Sequence, residues 1–379
     1  WWENAPHRAL ANNSVVYTET PDALSFIREW TALVESGSGE RGIFNREACK
    51  RIAEQSGRRD ADQDFGCNPC SEISLRPMQF CNLSEVVVRA TDDITAIEKK
   101  VRLATILGTI QSTFTYFPYL RKAWKQNTEE ERLLGVSLTG IMDNPLLTVE
   151  NKDLANTLNH LRQLAIKTNK EWSERLEIPA STAITCVKPS GTVSQLVDSA
   201  SGLHPRYSPF YIRTVRGDNK DPLTQFMIDQ GIPNEPDFMK PDHTTVFSFP
   251  MKAPVGAKCT KDFSAIQQLE TWLVYQRHWC EHKPSVTINV KPDEWLEVGS
   301  FVYKHFDEMS GVSFLPFEEH TYQQAPYQNV IKREYDELLA AMPKNINWDE
   351  LDLYEQEDNT AGSRTMACSG DVCEMVDIT

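Results

Sequence analysis

Short apolar segments alternate with amphipathic helical segments along most of this chain, and this order leaves few folds open to it. From Leu154 to Trp172 the apolar residues step by four and three positions, which predicts a long helix with one buried face. Apolar segments typical of strands lie on both sides of that helix, at residues 135–141 and 183–187. Strands that alternate with helices favour a largely parallel sheet or barrel, so the sequence predicts an α/β fold.

The same criteria predict the other elements of the chain. Further strands are expected at residues 14–17, 80–88, 211–215, 246–249, 286–290 and 312–315. Further helices are expected from Thr20 to Gly37, from Asn45 to Gly57, around residues 97–104, from Thr128 onwards, and at residues 263–280 and 293–305. Thr20, Asn45 and Thr128 are predicted N-caps, and Thr128 forms a predicted capping box with Glu131.

Charge and cysteine content exclude some functions and favour one compartment. The 379 residues carry 39 basic and 54 acidic side chains, a net charge of −15, whereas a duplex-binding protein needs a basic face. No apolar run approaches the roughly 18 residues of a membrane span, and the first residues do not resemble a secretory leader. Nine cysteines without a dense framework favour a reducing cytoplasm. The sequence starts at Trp1 rather than at a methionine, so we expect it to be part of a longer protein.

Three familiar motifs have a simpler structural interpretation. Residues 37–42 match the dinucleotide pattern GxGxxG but follow a predicted helix rather than a strand, which predicts a helix end and a turn. His278 and His282 stand four residues apart on a predicted helix without a third metal ligand, so a packed helix end is favoured. Cys67 and Cys70 form a CxxC pair in a long polar loop, without the second pair of ligands that zinc requires. No metal site is therefore predicted.

The loop around Cys70 is the most informative segment of the sequence. Asn68, Cys70 and Glu72 place an amide, a thiol and a carboxylate on alternate residues, and an extended loop would point all three in one direction. A thiol beside a general base and a hydrogen-bonding amide is a reaction centre suited to a hydroxylated substrate. Cys81 follows on the next predicted strand, where an isolated cysteine is usually a small buried hydrophobic residue.

At this spacing, NPCSE (68–72) followed by FCNL (80–83) resembles the active-site region of ribonucleotide reductases. The resemblance is closest to the monomeric, adenosylcobalamin-dependent class that acts on ribonucleoside triphosphates. Further segments are similar in the same order, namely RALANNSVVY, KPSGTVSQL, SGLHPRYSPFYIRTVR, SVTINV and CSGDVC, and together they cover nearly the whole chain. The resemblance implies a ten-stranded α/β barrel built from two half-barrels with a finger loop at its centre. This chain would hold the second half-barrel.

The resemblance also implies a role for each residue of this region. Cys70 would carry a thiyl radical, generated with adenosylcobalamin as cofactor, that abstracts the 3′-hydrogen of the substrate ribose. Glu72 would be the general base for the 3′-hydroxyl group, and Asn68 would orient substrate and loop. Cys81 would be one of two strand cysteines that reduce the substrate and end as a disulfide. Burial would protect such a radical, because it excludes water and stray hydrogen donors.

A phosphate loop is expected between a strand and a short helix. It comprises Lys188, Pro189, Ser190, Gly191, Thr192, Val193 and Ser194. Small and hydroxyl-bearing residues at a helix N-terminus offer free backbone N–H groups to an anion, and Lys188 adds positive charge. The resemblance implies that this loop binds the substrate phosphates; an ordinary capped turn is the alternative.

The resemblance assigns the C-terminal cysteines and points to missing parts. Cys368 and Cys373 would shuttle electrons from a thioredoxin-type reductant. The second strand cysteine of the family precedes RALANNSVVY, so it is expected, with most of the effector site, on a complementary N-terminal reductase chain. The predicted regions are a half-barrel at 1–317 with a finger loop at 58–78, a helical or lid region at 318–354, and a mobile redox-active tail at 355–379.

Several alternatives are open at this point. A truncated chain would explain the missing half as well as a naturally split enzyme does. The other functions are a non-catalytic scaffold or thiol-binding subunit with the same barrel, a large subunit of the metal-radical class of reductases, and a zinc-binding module. Cys67 and the His278/His282 pair have no assigned role.

Overall fold

The computed structural model describes residues 14–37, 42–317 and 323–355, together with the backbone of Arg364–Ser369 and Val372–Asp377. The RALANN segment, the interior of the GxGxxG motif and most of the predicted tail lie outside the described residues. In the ranges that are described, no helix is both long and apolar enough to cross a lipid bilayer.

The strands and helices are numbered in chain order. The strands are β1 (Ser14–Tyr17), β2 (Gly42–Asn45), β3 (Gly66–Cys67), β4 (Ser74–Leu75), β5 (Asn82–Val87), β6 (Leu134–Thr139), β7 (Thr185–Cys186), β8 (Phe210–Asp218), β9 (Asn234–Pro236), β10 (Thr244–Lys252), β11 (Thr287–Val290), β12 (Gly311–Pro316), β13 (Tyr327–Asn329), β14 (Arg364–Ser369) and β15 (Val372–Asp377). The helices are α1 (Ala23–Ser36), α2 (Arg46–Ser56), α3 (Ile94–Gln111), α4 (Lys122–Glu131), α5 (Leu154–Arg175), α6 (Val193–Leu196), α7 (Pro222–Asp229), α8 (Ala265–His278), α9 (Trp295–Lys304) and α10 (Lys332–Ala341).

Two compact units divide the chain. One comprises Trp1–Arg206 and Val255–Phe317, and the other comprises Tyr207–Pro254 and Glu318–Thr379. Residues 207–254 are part of the predicted half-barrel region, whereas the structure groups them with the C-terminal part. Sequence order could not reveal this grouping, because strands far apart in the chain form the second unit's sheet.

The first unit is built on a line of mostly parallel strands. β5, β6 and β7 are parallel neighbours, and a parallel bridge between Val187 and Pro284 connects this ladder with the parallel pair β11 and β12. β12 then pairs antiparallel with β2, and β2 pairs parallel with β1. Five parallel strands are thus followed by two that run the opposite way.

One face of these strands forms the hydrophobic core. Val86, Leu138 and Ile288 point to that face and pack with α3, α5 and α8, whose contributions include Leu158 and Trp272. Because side chains alternate along a strand, the neighbouring residues point to the opposite, inner face of the sheet. The inner face carries the residues discussed below.

The second unit has an antiparallel sheet. β8 and β10 pair along their whole length, and β13 and β9 flank them in the order β13-β8-β10-β9. The predicted strands at 211–215 and 246–249 are therefore present but do not continue the parallel pattern. The unit also contains α7, which begins with an Asp221 cap and Pro222 in its first turn.

Two predicted helix starts are wrong. The N-cap of α1 is Asp22, whose carboxylate accepts from two backbone N–H groups, while the Thr20 hydroxyl donates to Asp307 instead. Thr128 and Glu131 form the last turn of α4 rather than a capping box at its start. In contrast, Asn45 caps α2 and Gly37 ends α1 in a left-handed conformation, as predicted.

Candidate active site

The loop around Cys70 is a tight β-hairpin rather than an extended segment. β3 and β4 pair antiparallel, and between them the Ser71 N–H donates to the Asn68 carbonyl at 2.8 Å. Ser71 has a φ of 65°, in the left-handed region. The predicted extended conformation of this loop is therefore wrong, because the turn interrupts the period of two on which the prediction depends. Cys70 lies at the tip of this finger hairpin (residues 66–75).

Asn68 stabilises the turn of the finger hairpin. Its side-chain Oδ1 accepts a hydrogen bond from the Ile73 N–H at 3.0 Å, on the opposite arm. A side-chain oxygen that binds backbone N–H groups of its own turn is a common way to fix a tight reversal. The structure thus gives Asn68 a part in shaping the loop.

The finger hairpin lies against the inner face of the sheet. A Cβ atom added to Gly135 of β6 would lie 2.9 Å from Cδ1 of Ile73 and 3.3 Å from Sγ of Cys81. A residue with a side chain at position 135 would therefore collide with the hairpin. Cys81 immediately precedes β5, one residue outside the strand on which it was expected, and both its sulfur and the hairpin lie beside this glycine.

The tip of the hairpin is bound by residues 283–285, the short segment between α8 and β11. Ser285 donates from Oγ to the Cys70 carbonyl at 2.6 Å, and the Lys283 N–H donates to the Glu72 carbonyl at 3.2 Å. The same segment forms the bridge at the middle of the strand line. Cys70 and Glu72 are therefore held at the centre of the inner face.

Glu72 is a fully buried carboxylate with two different oxygens. Its Oε1 lies 3.3 Å from Nζ of Lys188. Its Oε2 is buried and has no hydrogen-bond partner among the described residues. Buried polar atoms are normally hydrogen-bonded, so an unsatisfied oxygen of this kind indicates a ligand group or a functional role.

The charge of Glu72 acts on several neighbours. Burial raises the pKa of the Cys81 thiol, and the nearby Glu72 carboxylate raises it further, so Cys81 stays protonated at neutral pH. Burial by itself lowers the pKa of Lys188, but the charges of Glu72 and Cys70 outweigh it and raise that pKa. The thiols, the carboxylate and the ammonium group thus form one electrostatic cluster.

Glu85 is a second carboxyl group in this cluster, which the sequence analysis missed. It belongs to β5 and, as the register partner of Ser137, points to the inner face. Burial raises its pKa, while the Ser190 hydroxyl and the charge of Lys188 partly oppose that rise. The period of two that starts at Cys81 and passes through position 83 could have revealed it.

The phosphate loop is fixed at its two ends by hydroxyl groups. The Lys188 N–H donates to Ser137 Oγ at 2.8 Å. Ser201 donates from Oγ to the carbonyl oxygens of Pro189 and Ser190, at 2.6 and 2.9 Å. Ser194 also donates to the Ser190 carbonyl. These contacts fix the carbonyl side of the loop.

The other side of the phosphate loop presents backbone N–H groups. Gly191, Thr192 and Val193 are exposed, and within the described part of the chain their N–H groups have no hydrogen-bond acceptor. α6 follows directly, as the predicted short helix does. Consecutive free N–H groups are suited to bind an anion.

No protein-family model matches the chain. Curated relatives do: it is 27% identical to the adenosylcobalamin-dependent ribonucleoside-triphosphate reductase of Levilactobacillus brevis, over 94% of this chain and 52% of the relative. The enzyme of the same name from Lactobacillus leichmannii is 28% identical, over 94% and 53%. The one from Euglena gracilis is 27% identical, over 91% and 47%. The chain thus spans about half the length of these relatives.

A solved B12-dependent, class II ribonucleotide reductase has the same fold over 94% of this chain and 53% of its own, with a TM-score of 0.78 and 26% identity. The chain is related to the class II ribonucleotide reductases. The α subunit of an Actinobacillus ureae class Id reductase shares the fold at a TM-score of 0.53 and 13% identity, over 81% of this chain and 65% of its own. The predicted fold class, part of a reductase barrel with a central finger, is confirmed.

In this reductase fold the finger hairpin is held by a buried ion pair that the sequence analysis misinterpreted. Arg59 binds Glu131 through two hydrogen bonds, at 3.0 and 2.9 Å, and donates to the Ser74 carbonyl at 2.9 Å. Gln79 donates to the same Glu131 carboxylate at 2.5 Å. Arg59 and Gln79 flank the finger hairpin in sequence, so Glu131 secures both of its ends.

The histidine pair does not share a helical face. α8 ends at His278, which contacts Asn159 across 3.0 Å, and His282 lies beyond the helix. Burial lowers the pKa of His282 to about 3, and its Nε2 contacts the Leu134 carbonyl at 2.8 Å. Among the described residues no group of three or more side chains could hold a metal ion. Both histidines thus pack at the helix end, the interpretation that the sequence favoured.

The terminal cysteines are described by their backbone alone. β14 and β15 form an antiparallel hairpin in which Cys368 is the register partner of Cys373. Residues directly opposite each other in such a pair have Cα atoms about 4.5–5.5 Å apart, a separation that a disulfide can span.

Proposed function

We propose that this chain is the radical-bearing part of an enzyme that reduces ribonucleoside triphosphates to 2′-deoxyribonucleotides. One observation carries the proposal: the finger hairpin presents Cys70 at its tip and, two residues on, a buried carboxylate whose Oε2 has no hydrogen-bond partner in the part of the chain that the structure describes. A substrate hydroxyl group would satisfy that oxygen. The relatives that match along the chain bear the name of this activity.

The proposed reaction assigns one step to each side chain. The Cys70 sulfur radical takes a hydrogen atom from C3′, so an S–H bond forms and a C–H bond breaks. Glu72 Oε2 accepts the proton of the 3′-hydroxyl group, which eases loss of the 2′-hydroxyl as water. Two thiols, one of them Cys81, supply two electrons and two hydrogens and become a disulfide. Glu72 returns its proton to the 3′-oxygen, and Cys70 returns its hydrogen atom to C3′, which restores the sulfur radical. Overall, ribonucleotide and dithiol give deoxyribonucleotide, disulfide and water.

Adenosylcobalamin is the proposed cofactor, and the accessibility of the thiol fits it. Cys70 is partly exposed, whereas Glu72 on the same hairpin is fully buried. When bound, the cofactor supplies the radical that removes the hydrogen atom from the Cys70 sulfur. Pro69 and Ser71, which flank the thiol at the tip, would contact the cofactor.

The phosphate loop is the proposed site for the triphosphate. The exposed N–H groups of residues 191–193 would donate hydrogen bonds to the phosphate oxygens, and Lys188 supplies a positive charge beside them. Because the net charge of the chain is negative, a local positive charge is needed to attract a polyanion. The triphosphate, rather than the diphosphate, is proposed because of the names of the relatives.

A complementary N-terminal reductase chain is the proposed partner. Within the described residues β5 pairs only with β6, and β1 pairs only with β2, so each has a free edge. Leu83 of β5 and Val16 of β1 are 37% and 51% exposed beside these edges. Free edges and exposed apolar residues favour pairing with further strands. The partner would also supply the second reducing thiol.

The C-terminal pair is the proposed entry point for electrons from a thioredoxin-type protein. Cys368 and Cys373 would exchange their disulfide with that reductant and pass the electrons to Cys81 and its partner thiol. A reducing cytoplasm is the location that suits this exchange.

Reconstitution tests the proposal. This chain, its complementary chain, adenosylcobalamin and a dithiol are incubated without oxygen with a labelled ribonucleoside triphosphate, and the deoxyribonucleotide is quantified. We expect product with the wild type and with Cys67→Ser, which alters the same hairpin, but none with Cys70→Ser. Product from Cys70→Ser would contradict the proposed chemistry. A wild-type complex that forms but yields no product would favour the scaffold function.

A further inference from the structure

Lys188 connects the two halves of the candidate site. Its backbone begins the phosphate loop, while its Nζ lies 3.3 Å from Oε1 of Glu72 on the finger hairpin. The carboxylate is fully buried and the lysine side chain is 30% exposed. The ion pair therefore faces the open side of the site, where a substrate would enter.

The position of Lys188 is fixed by its backbone. The N–H group is bound to Ser137 of β6, and the carbonyl oxygen packs against Gly202. A Cβ atom on Gly202 would lie 2.3 Å from that oxygen, so only glycine allows this contact. The carbonyl groups of the next two residues are bound by Ser201. Movement of the phosphate loop would therefore move the ammonium group as well.

The ion pair makes the two Glu72 oxygens unequal. Lys188 occupies Oε1, and Oε2 is left buried without a partner among the described residues. We propose that Lys188 is a positioning residue that holds Glu72 by Oε1 and thereby presents Oε2 to the substrate hydroxyl. This inference rests on the proposed function and deepens it, because it ties the proton acceptor to the loop that binds the phosphates.

The titratable groups around Nζ come from three elements. Glu72 and Cys70 face it from the finger hairpin, Cys186 from β7, and Glu85 from β5. The Glu72 carboxylate is the strongest of the influences that favour the charged ammonium group. Loss of the cation would therefore leave a buried carboxylate without its ion-pair partner, so that nothing among these groups would hold Oε1 in place.

The test compares two substitutions of Lys188 in the reconstituted enzyme. Lys188→Met removes the ammonium group that holds Oε1 of Glu72, so the carboxylate loses its fixed orientation and kcat should fall about tenfold. Lys188→Arg keeps the charge, but its planar fork binds both carboxylate oxygens, so kcat should fall about tenfold with little change in KM. Lys167→Met, on the helix α5, is the control and should leave both quantities unchanged.

The outcomes separate this inference from the proposed function. An active wild type with full kcat in both Lys188→Met and Lys188→Arg would overturn the positioning role and leave the reductase assignment intact. An inactive wild-type complex would contradict the assignment itself, and with it the inference. If Lys188→Met does not fold, as judged by circular dichroism, the fall in kcat of Lys188→Arg decides alone.

Discussion

The finger hairpin and the phosphate loop reach the same carboxylate, but they are held in different ways. The hairpin depends on buried charged side chains, with Arg59 and Glu131 paired across 72 positions of sequence. The phosphate loop depends on hydroxyl groups that bind its carbonyls, and it leaves its N–H groups open. A reactive side chain must be held rigidly in position, whereas an anion is bound by backbone N–H groups that have no other hydrogen-bond acceptor. Damage to the first should cost stability, and damage to the second should cost affinity.

Removal of Glu131 should have the largest effect. Glu131→Ala leaves Arg59 and Gln79 buried without their acceptor, and breaking a buried ion pair typically costs about 3–5 kcal/mol. We expect a loss of that size in the free energy of unfolding, measured with urea. We also expect faster alkylation of Cys70, because the hairpin loses the hydrogen bonds that Glu131 makes with Arg59 and Gln79.

Glu130→Ala is the matched control for this prediction. Glu130 is the neighbouring residue on α4, and its side chain, which pairs with Arg76 at 2.8 Å, is 47% exposed, whereas that of Glu131 is 5% exposed. Exposed pairs contribute at most about 1 kcal/mol. Equal losses in the two variants would mean that Glu131 does not secure the hairpin.

Loss of the Ser201 hydroxyl should have an intermediate effect on the phosphate loop. Ser201→Ala removes the one hydroxyl hydrogen that the carbonyl oxygens of Pro189 and Ser190 share, which is worth about 1 kcal/mol and weakens triphosphate binding about fivefold. Stability should change little. Calorimetric titration with the nucleotide measures the effect, with Ser56→Ala, a hydroxyl at the end of α2, as control. An unchanged affinity for the triphosphate would mean that Ser201 does not hold the phosphate loop in its binding conformation.

The smallest effect should come from Glu85, and it should depend on pH. Burial raises the pKa of this carboxyl, so it becomes ionised only as pH rises, and its charge then repels a phosphate near Ser190. Glu85→Gln should therefore bind the triphosphate about threefold more tightly than the wild type at alkaline pH, and the ratio should fall as the pH is lowered through the raised pKa of Glu85. A ratio that does not vary with pH would exclude this repulsion.

The fold was largely readable from the sequence, because periodicity reports directly on burial. α5 and the strands next to it follow the predicted pattern. The sequence does not reveal side-chain contacts between residues that lie far apart along the chain. Thr128 and Glu131 match the pattern of a capping box, yet the Glu131 carboxylate accepts hydrogen bonds from Gln79 and Arg59, which lie 52 and 72 positions earlier in the sequence. α7 was overlooked, although its Asp221–Pro222 start is a local signal of a helix.

The candidate site was readable in its residues but not in its geometry. Motifs led to Cys70, Glu72 and Lys188, which the structure brings together. The period of two failed at the hairpin turn, where Ser71 adopts a left-handed conformation. Glu85 and the Lys188–Glu72 ion pair emerge only when β5, the hairpin and the phosphate loop are assembled on one inner face.

The central claim is that the Cys70 thiol faces the sugar of a bound nucleotide, and labelling tests it most directly. The complex of this chain with its complementary chain is treated with iodoacetamide, with and without a ribonucleoside triphosphate, and the cysteine peptides are quantified by mass spectrometry. Cys67 lies on the same hairpin, away from its tip, and is the internal control. We predict that the nucleotide protects Cys70 and leaves the labelling of Cys67 unchanged. Equal labelling of Cys70 with and without saturating nucleotide would contradict the claim.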